Sequence, residues 1–317
     1  MGKAAEKTSG ITISENGIEQ PVSSKRVEVL KTYKLYIGGQ FPRTESGRYY
    51  IATNSKGEQL ANVSLGSRKD FRDAVVTART AFKGWSARAA FNRGQILYRI
   101  AEMLEGRKAQ FMEELMKQDV SKVQAGKEVL TAIDRLIWYA GWCDKYQQLF
   151  GTVNPVASSH FNFSVPEPTG VVAAIAPQDN SLLGLVSVIA PVIAGGNTCI
   201  VLASETKPLC SITFAEVLHS SDVPGGVVNI LTGKVSELAG QFAAHMDVNA
   251  VVYCGDDNAV QKELQQKGAA NVKRIIIHKN INWFSEQGQS PYYILDTQEI
   301  KTTWHPIENI GGGGGGY

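Results

Sequence analysis

The stretch Ile175-Ala-Pro-Gln-Asp-Asn-Ser-Leu-Leu183 places one carboxylate, Asp179, and two amides, Gln178 and Asn180, between two apolar runs. The run before it has the pattern of a buried strand, and the one after it that of a helix packed on that strand. Strand-to-helix turns of this kind are where α/β proteins set phosphate-binding or catalytic groups. A second polar turn, Gly255-Asp-Asp257, follows the apolar run from Ala250 to Cys254. Carboxylates there cap the free N–H groups of a helix and complement its dipole, whereas a phosphate at the same place would meet negative charge. Such a turn suits a cationic or hydroxylated ligand; as a plain cap it needs none.

Other candidates for chemistry are scattered. Cys143, Cys199, Cys210 and Cys254 show no CxxC or Cys/His spacing, and two of them sit in or beside strand-like apolar runs. Buried reduced thiols of a cytoplasmic protein are the simplest account, and no metal site is expected. His160, His219, His245, His278 and His305 do not repeat at helical spacing. The chain has 317 residues, 43% of them hydrophobic and 20% charged, enough for one large or two moderate cores. Thirty-two basic against thirty acidic residues leave a formal charge of +2, so composition gives no broad field for nucleic acid or anionic lipid. The longest apolar stretch, Ser181 to Gly196, is short for a membrane span and fits a buried core helix, and no signal-peptide pattern opens the chain.

These turns need elements to hold them. After a polar lead-in, Tyr33-Lys-Leu-Tyr-Ile-Gly-Gly-Gln, Tyr49-Tyr-Ile-Ala and Ala61-Asn-Val-Ser predict a small β-meander. Ser67 with Asp70 reads as a capping box, and Phe71, Val75, Ala78 and Phe82 form one helical face. Helices are predicted at about 89–105, 108–119 and 125–148. An extended hairpin follows between Gly151 and Gly170, a protruding β-arm with an edge ready to pair. Strand candidates Val171 to Ala176, Thr198 to Ala203, Val227 to Leu231, Ala250 to Cys254 and Val272 to Ile277 then alternate with helical segments. That alternation predicts right-handed βαβ crossovers and a Rossmann-like parallel sheet covered on both faces. Tyr292-Tyr-Ile-Leu reads as a further short strand, and Gly311 to Gly316 as a flexible tail.

Several of these segments, in order, resemble the aldehyde dehydrogenase superfamily. Tyr36-Ile-Gly-Gly-Gln resembles its opening strand, and Phe82-Lys-Gly-Trp-Ser with Arg93-Gly-Gln-Ile-Leu its "AFxxWxxxxxxxRxxxL" helix pair. Pro168-Thr-Gly-Val-Val with Ile175-Ala-Pro is similar to "PxGVVxxIxPWN", and Ala194-Gly-Gly-Asn197 to "AxGN". Pro224-Gly-Gly-Val-Val-Asn-Ile-Leu-Thr-Gly233 is similar to "PxGVVNxxxG", the most specific of these matches. The resemblance implies an α/β fold: the Rossmann-like cofactor-binding domain of that superfamily with an N-terminal β-meander and helices, the β-arm, and a truncated catalytic domain. The expected divisions are a lead-in over 1–30, an NAD(P)-binding domain over 31–277 with an oligomerisation arm at about 151–166, and a catalytic remnant with the glycine-rich tail over 278–317.

The implied chemistry needs a cysteine nucleophile, an oxyanion-stabilising Asn, a nicotinamide cofactor and a Glu base. Against that pattern Asp179 stands at the Asn position, with Asn180 a substitute only if the turn shifts. Cofactor contacts would fall on Ile175, Ala176, Pro177, Glu205, Gly233, Gly255 and Asp256, in degenerate form. Glu205 keeps the ribose-binding Glu while Leu202 replaces its Lys, and Gly255-Asp256-Asp257 replaces the "FTGSTxxG" phosphate turn. His278 or Lys279 lies near the base position, Glu286 is displaced, and no cysteine follows Cys254 where "GQxC" would supply the nucleophile. The reading is of a catalytically inactive relative, similar to the degenerate second copy in the two-copy family 16 proteins, with no cofactor expected. Partners are expected through the β-arm and a face left uncovered, in a homo-oligomer or with another protein, and neither nucleic acid nor membrane is expected. The alternative is an NAD- or NADP-dependent oxidoreductase acting on aldehydes, seen as a truncated chain or needing a second chain. A Rossmann-like binder of a non-phosphorylated small molecule is a third reading.

Overall fold

Five strands whose residues are almost all apolar form the centre of the molecule. The computed structural model describes residues 29–307, so nearly all of the expected lead-in and the whole glycine-rich tail lie outside the described residues. The N-terminal part comprises β1 (Thr32–Tyr33), β2 (Tyr49–Thr53) and β3 (Gln59–Ser64), then α1 (Arg68–Ser86), α2 (Ala90–Gly106), α3 (Lys108–Lys117), α4 (Lys122–Trp142) and α5 (Tyr146–Phe150). The arm strands β4 (Thr152–Asn154) and β5 (His160–Pro168) follow. Then come β6 (Val171–Ile175), α6 (Leu183–Ala194), β7 (Thr198–Leu202), α7 (Leu209–His219), β8 (Val228–Leu231), α8 (Val235–Ala244), β9 (Ala250–Cys254), α9 (Asn258–Ala269) and β10 (Arg274–His278). A 3-10 turn at Glu286–Gly288, α10 (Tyr292–Leu295) and β11 (Gln298–Pro306) complete the described chain.

The parallel sheet has the order β10-β9-β6-β7-β8. Every residue of β6, β7, β8 and β9 is buried, as a sheet covered on both faces requires. Successive side chains go to opposite layers. Val171, Ala173 and Ile175 join Phe71, Val75, Leu238, Phe242 and Leu264 of α1, α8 and α9, while Val172 and Ala174 join the larger core of α2, α4, α6 and α7. α6 is buried at every residue, which is why the Ser181–Gly196 stretch has no polar face. The capping box forms as predicted: Ser67 Oγ accepts from Lys69 and Asp70 N–H, and Asp70 Oδ2 accepts from Ser67 N–H. Glycine is required at Gly225, where a Cβ would lie 2.6 Å from Gly38 O, so the Pro224-Gly-Gly turn can seat against the Gly38-Gly39 turn.

Four expectations are corrected. The N-terminal sheet is no meander, because its order is β1-β3-β2 and β1 runs parallel to β3. The single helix predicted over 125–148 divides into α4 and α5. Tyr292–Leu295 is helical, since Pro291 fixes a helical φ at its N-cap and Ile294 turns inward to full burial. The arm is no free hairpin: β11 adds to it antiparallel over the whole length of β5, giving the order β11-β5-β4. Between β10 and β11 the chain lays Ile281, Trp283, Phe284, Tyr293 and Ile294 on the larger core.

Candidate functional site

The turns after β6, β7 and β8 are joined by their own side chains. Gln178, at the end of the β6 turn, donates from Nε2 to Ala176 O at 2.9 Å and accepts from Glu205 N–H at 2.8 Å. Its carbonyl accepts from Ser204 Oγ at 2.8 Å. Glu205, after β7, reaches on with its carboxylate to accept from Val235 N–H at 3.3 Å, in the first turn of α8 beyond Gly233. Gly233 takes φ +157, a positive φ that side chains rarely adopt, as it packs against Gly66. Ile175, Ala176 and Pro177 are buried, and the Pro177 ring lies where a Cβ on Gly184 would come within 3.0 Å, locking the strand-to-helix geometry. Asp179 is exposed at the apex, and its carbonyl accepts from Lys207 Nζ at 2.9 Å. Asn180 is buried.

A separate group sits over β9 and β10. Asp257 is the N-cap of α9, accepting at Oδ1 from Ala259 N–H at 2.7 Å and Val260 N–H at 3.4 Å. Asp256, beside Gly255, accepts from Asn280 N–H at 3.1 Å. Gly255 O accepts from Gln261 Nε2 at 3.1 Å. The structure therefore joins Gln178, Glu205 and Val235 in one network and Asp256 with Asn280 in another.

Below the first turn lies a carboxylate that the sequence reading did not single out. Glu128 of α4 is buried, and its Oε1 accepts from Leu182 N–H at 2.8 Å and Leu183 N–H at 3.2 Å, where α6 begins. Burial raises its pKa above the ordinary glutamate value, opposed by the N–H groups of Leu182 and Leu183. Seven residues on, Arg135 is equally buried; it donates to Ser187 Oγ and, at 2.8 Å, to Trp283 O, while its Nε has no partner. Burial lowers its pKa. The signal for both was a charge within the apolar stripe of α4, among Ala125, Val129, Ala132, Ile133 and Leu136.

All four cysteines are buried and unpaired in disulfides. Burial pushes the Cys143 thiol up to about 12 and raises Cys199, Cys210 and Cys254 as well, so each is held as an unreactive thiol at neutral pH. Three cavities of about 440, 570 and 480 Å³ lie against α1 and α8, between α2 and α4, and between the β2–β3 turn and α3. None of the three is lined by residues 175–180, Glu205, Gly233 or 255–257. Among the described residues no His, Cys, Asp and Glu side chains cluster to hold a metal, and no helix is long and apolar enough to cross a membrane.

The family model for the aldehyde dehydrogenase family matches residues 42–301. The chain belongs to the aldehyde dehydrogenase family. It is 30% identical over 289 residues to an aldehyde dehydrogenase of Enchytraeus buchholzi, covering 89% of this chain and 56% of that protein. It is 29% identical to the cytosolic 10-formyltetrahydrofolate dehydrogenase of Mus musculus, over 88% of this chain and 31% of that one. The chain thus spans about half the length of these relatives or less. Among solved structures, a mutant of Pseudomonas syringae aldehyde dehydrogenase C, complexed with NAD+ and octanal, matches at TM-score 0.72 and 30% identity over 78% of this chain and 50% of that one. Betaine aldehyde dehydrogenase of Staphylococcus aureus, in complex with NAD+, matches at TM-score 0.73 and 25% identity over 77% and 49%.

The residues at the family's cofactor positions are a poor fit to a diphosphate. The N–H groups opening α9 are taken by Asp257, and Asp256 adds a second negative charge beside them. Glu205 is turned to Val235 N–H. The segment Gly288-Gln289-Ser290-Pro291 runs from the 3-10 turn into α10. Ser290 there is tied to Tyr139, whose hydroxyl donates to Ser290 O and accepts from Ser290 N–H, both at 3.3 Å.

Proposed function

We propose that this aldehyde dehydrogenase family chain is non-catalytic and acts in assembly or protein binding, its cofactor-domain fold kept for shape. The observation that carries the reading is the acidic turn Asp256-Asp257, which spends the α9 N-terminus on its own carboxylate where the family resemblance calls for an anion. Asp179 at the oxyanion position supports it, since replacing a donor there costs about 10²- to 10³-fold in rate before repulsion is counted. Four buried thiols support it further. Within this reading the protein has no NAD or NADP turnover, and its working surface is the arm.

The test is calorimetric titration with NAD and NADP, followed by spectrophotometric turnover with a panel of short and aromatic aldehydes. No heat at millimolar nucleotide and no reduced cofactor are expected. Micromolar nucleotide affinity would remove the cofactor-site argument, and aldehyde-dependent reduction by this chain alone would end the non-catalytic reading. The second reading, an NAD(P)-dependent oxidoreductase needing further residues from another chain, is favoured by Glu205, Gly233 and Gly255 being retained and by relatives solved with NAD+.

A further inference from the structure

Arg68, Lys69 and Arg72 of α1 and Gln241 and His245 of α8 line the cavity of about 440 Å³ between the two helices, with Phe71 and Glu45 also in its wall. α1 brings cations to it and not a free N-terminus: the N–H groups of Lys69 and Asp70 are taken by Ser67 Oγ, and that of Phe71 by Ser67 O. Lys69 is neutralised by Glu45, 3.5 Å away, which also accepts from Ser67 Oγ at 3.2 Å. Arg68 and Arg72 are left. They stand one turn apart on one face of the helix, both exposed. Among the described residues Arg68 pairs with no carboxylate, and Arg72 meets only Asp73, at 3.7 Å from Nε and beyond hydrogen-bond reach. His245, at the C-cap of α8, is held still by its neighbours. Its ring lies edge-on to Phe71 at 5.6 Å, Phe71 stacks on Phe242 at 4.3 Å, and its carbonyl accepts from Lys273 Nζ. Nδ1 accepts from Asp247 N–H at 3.2 Å, so the ring proton is on Nε2, the one nitrogen left to donate. Burial lowers the pKa of His245, and Lys273, Arg68 and Arg72 lower it further against Asp247, so the ring and the guanidinium groups lie close enough to repel.

We propose that this cavity is a binding site for a small phosphate monoester, with Arg68 and Arg72 forking the phosphate oxygens and His245 donating from Nε2. The inference goes beyond the reading above and depends neither on assembly nor on the loss of catalysis. Guanidinium groups suit a tetrahedral anion because their planar N–H pairs match two oxygens at once. An anion among the three groups also removes the repulsion between them. The cavity has the volume of a small-ligand pocket, roughly 300–1,000 Å³, and is larger than a bare phosphate fills, so a compact organic body accompanies the charge. Gln241 offers its amide to hydroxyl groups of that body. The Glu45 carboxylate in the same wall disfavours a second anionic group, which sets a monoester ahead of a diphosphate. None of the residues at the family's cofactor positions lines the cavity, so this is a site apart from theirs.

Calorimetric titration of the full chain with glycerol 3-phosphate, inorganic phosphate and glycerol reads the outcome. Glycerol 3-phosphate binds, inorganic phosphate binds at least about tenfold more weakly, and glycerol gives no heat. Arg68→Gln and Arg72→Gln each weaken glycerol 3-phosphate by at least about tenfold without lowering the melting temperature, since both side chains are exposed and sit in the first turns of α1, where a positive charge opposes the helix dipole. His245→Asn keeps an acceptor for Asp247 N–H, removes the Nε2 donor and weakens binding as well. Lys262→Gln, the same loss of charge from the exposed face of α9, changes the affinity by less than about twofold. No binding at about 10 mM ester, an affinity untouched by the two arginine variants, or an equal loss in Lys262→Gln overturns the proposal. Inorganic phosphate binding as tightly as the ester would reduce the cavity to a bare-anion site and overturn it too, as would a phosphoserine peptide binding more tightly than glycerol 3-phosphate. Micromolar NAD affinity unchanged by Arg72→Gln, by contrast, would remove the cofactor-site argument and leave this site standing.

Discussion

Glu128 shows how a single buried charge can set a helix in place. Its carboxylate supplies the acceptor that the first N–H groups of α6 lack within the helix, since Leu182 and Leu183 have no capping side chain of their own. Removing it with Glu128→Ala should cost about 2–4 kcal/mol, measured by denaturant unfolding, by leaving buried donors without a partner. Because burial raises its pKa, ionisation is harder in the folded chain than in the unfolded one. The stability it contributes is fully present below the ordinary glutamate value of 4.5 and is lost as pH rises through the folded value. Glu128→Gln cannot lose a proton, so its melting temperature should gain on the native chain's as pH rises above 4.5. A constant difference across that range would show that Glu128 titrates as it does in the unfolded chain. Arg135 is the matching case of a cation held by Ser187 and the carbonyl of Trp283 with no carboxylate bonded to it. Arg135→Met should loosen the segment around Trp283 more than the molecule as a whole, read as faster amide exchange confined to residues 281–294.

At the scale of elements, the opening of α9 is where cap and ligand site compete for the same N–H groups. Asp256→Ser with Asp257→Thr keeps a capping hydroxyl and removes two negative charges, so NAD affinity should rise by at least about tenfold in calorimetry. If it does not, the acidic turn is not what keeps a diphosphate out. That turn was legible in the sequence because a cap depends on residues two or three apart, and so was the capping box of Ser67 and Asp70. The parallel strands were legible because burial on both faces leaves unbroken apolar runs. Glu128 was not, because its partners Leu182 and Leu183 lie far off in sequence and offer only backbone. Gln178 was visible as an amide of the turn but its partners were not, because only the folded chain brings Glu205 N–H and Ala176 O to its two ends. Tyr292–Leu295 misled by composition, its aromatic and branched residues favouring a strand until Pro291 and the burial of Ile294 decided for a helix.

For the molecule as a whole, the buried bases and acids pull stability in opposite directions with pH. Burial lowers the pKa of His245 and His278, so the cost of charging them is full below their folded values and lifts as pH rises toward the ordinary 6.5. Lys273, which donates to the carbonyls of His245 and Val248, is lowered by burial to about 8. Its penalty is complete below about 8 and disappears as pH rises toward the ordinary 10.5, so the native chain should gain melting temperature relative to Lys273→Met between about pH 8 and about pH 10. A flat difference over that range would mean the ammonium is as comfortable folded as unfolded.

The pairing of β11 with β5 also has a consequence in time. Thr302 meets Ser164 across 138 residues of chain, a closure costing about 4 kcal/mol of loop entropy before its hydrogen bonds form. During synthesis at about 5–20 residues per second, β5 leaves the ribosome roughly ten to thirty seconds before its partner strand exists. For that interval Phe161 and Phe163 ride on a strand paired on one edge only, by β4, and the nascent chain presents a sticky edge that the finished protein covers with its own residues. A chaperone acting on this protein should therefore be caught on the half-made arm, and its grip should end when residues 298–306 emerge.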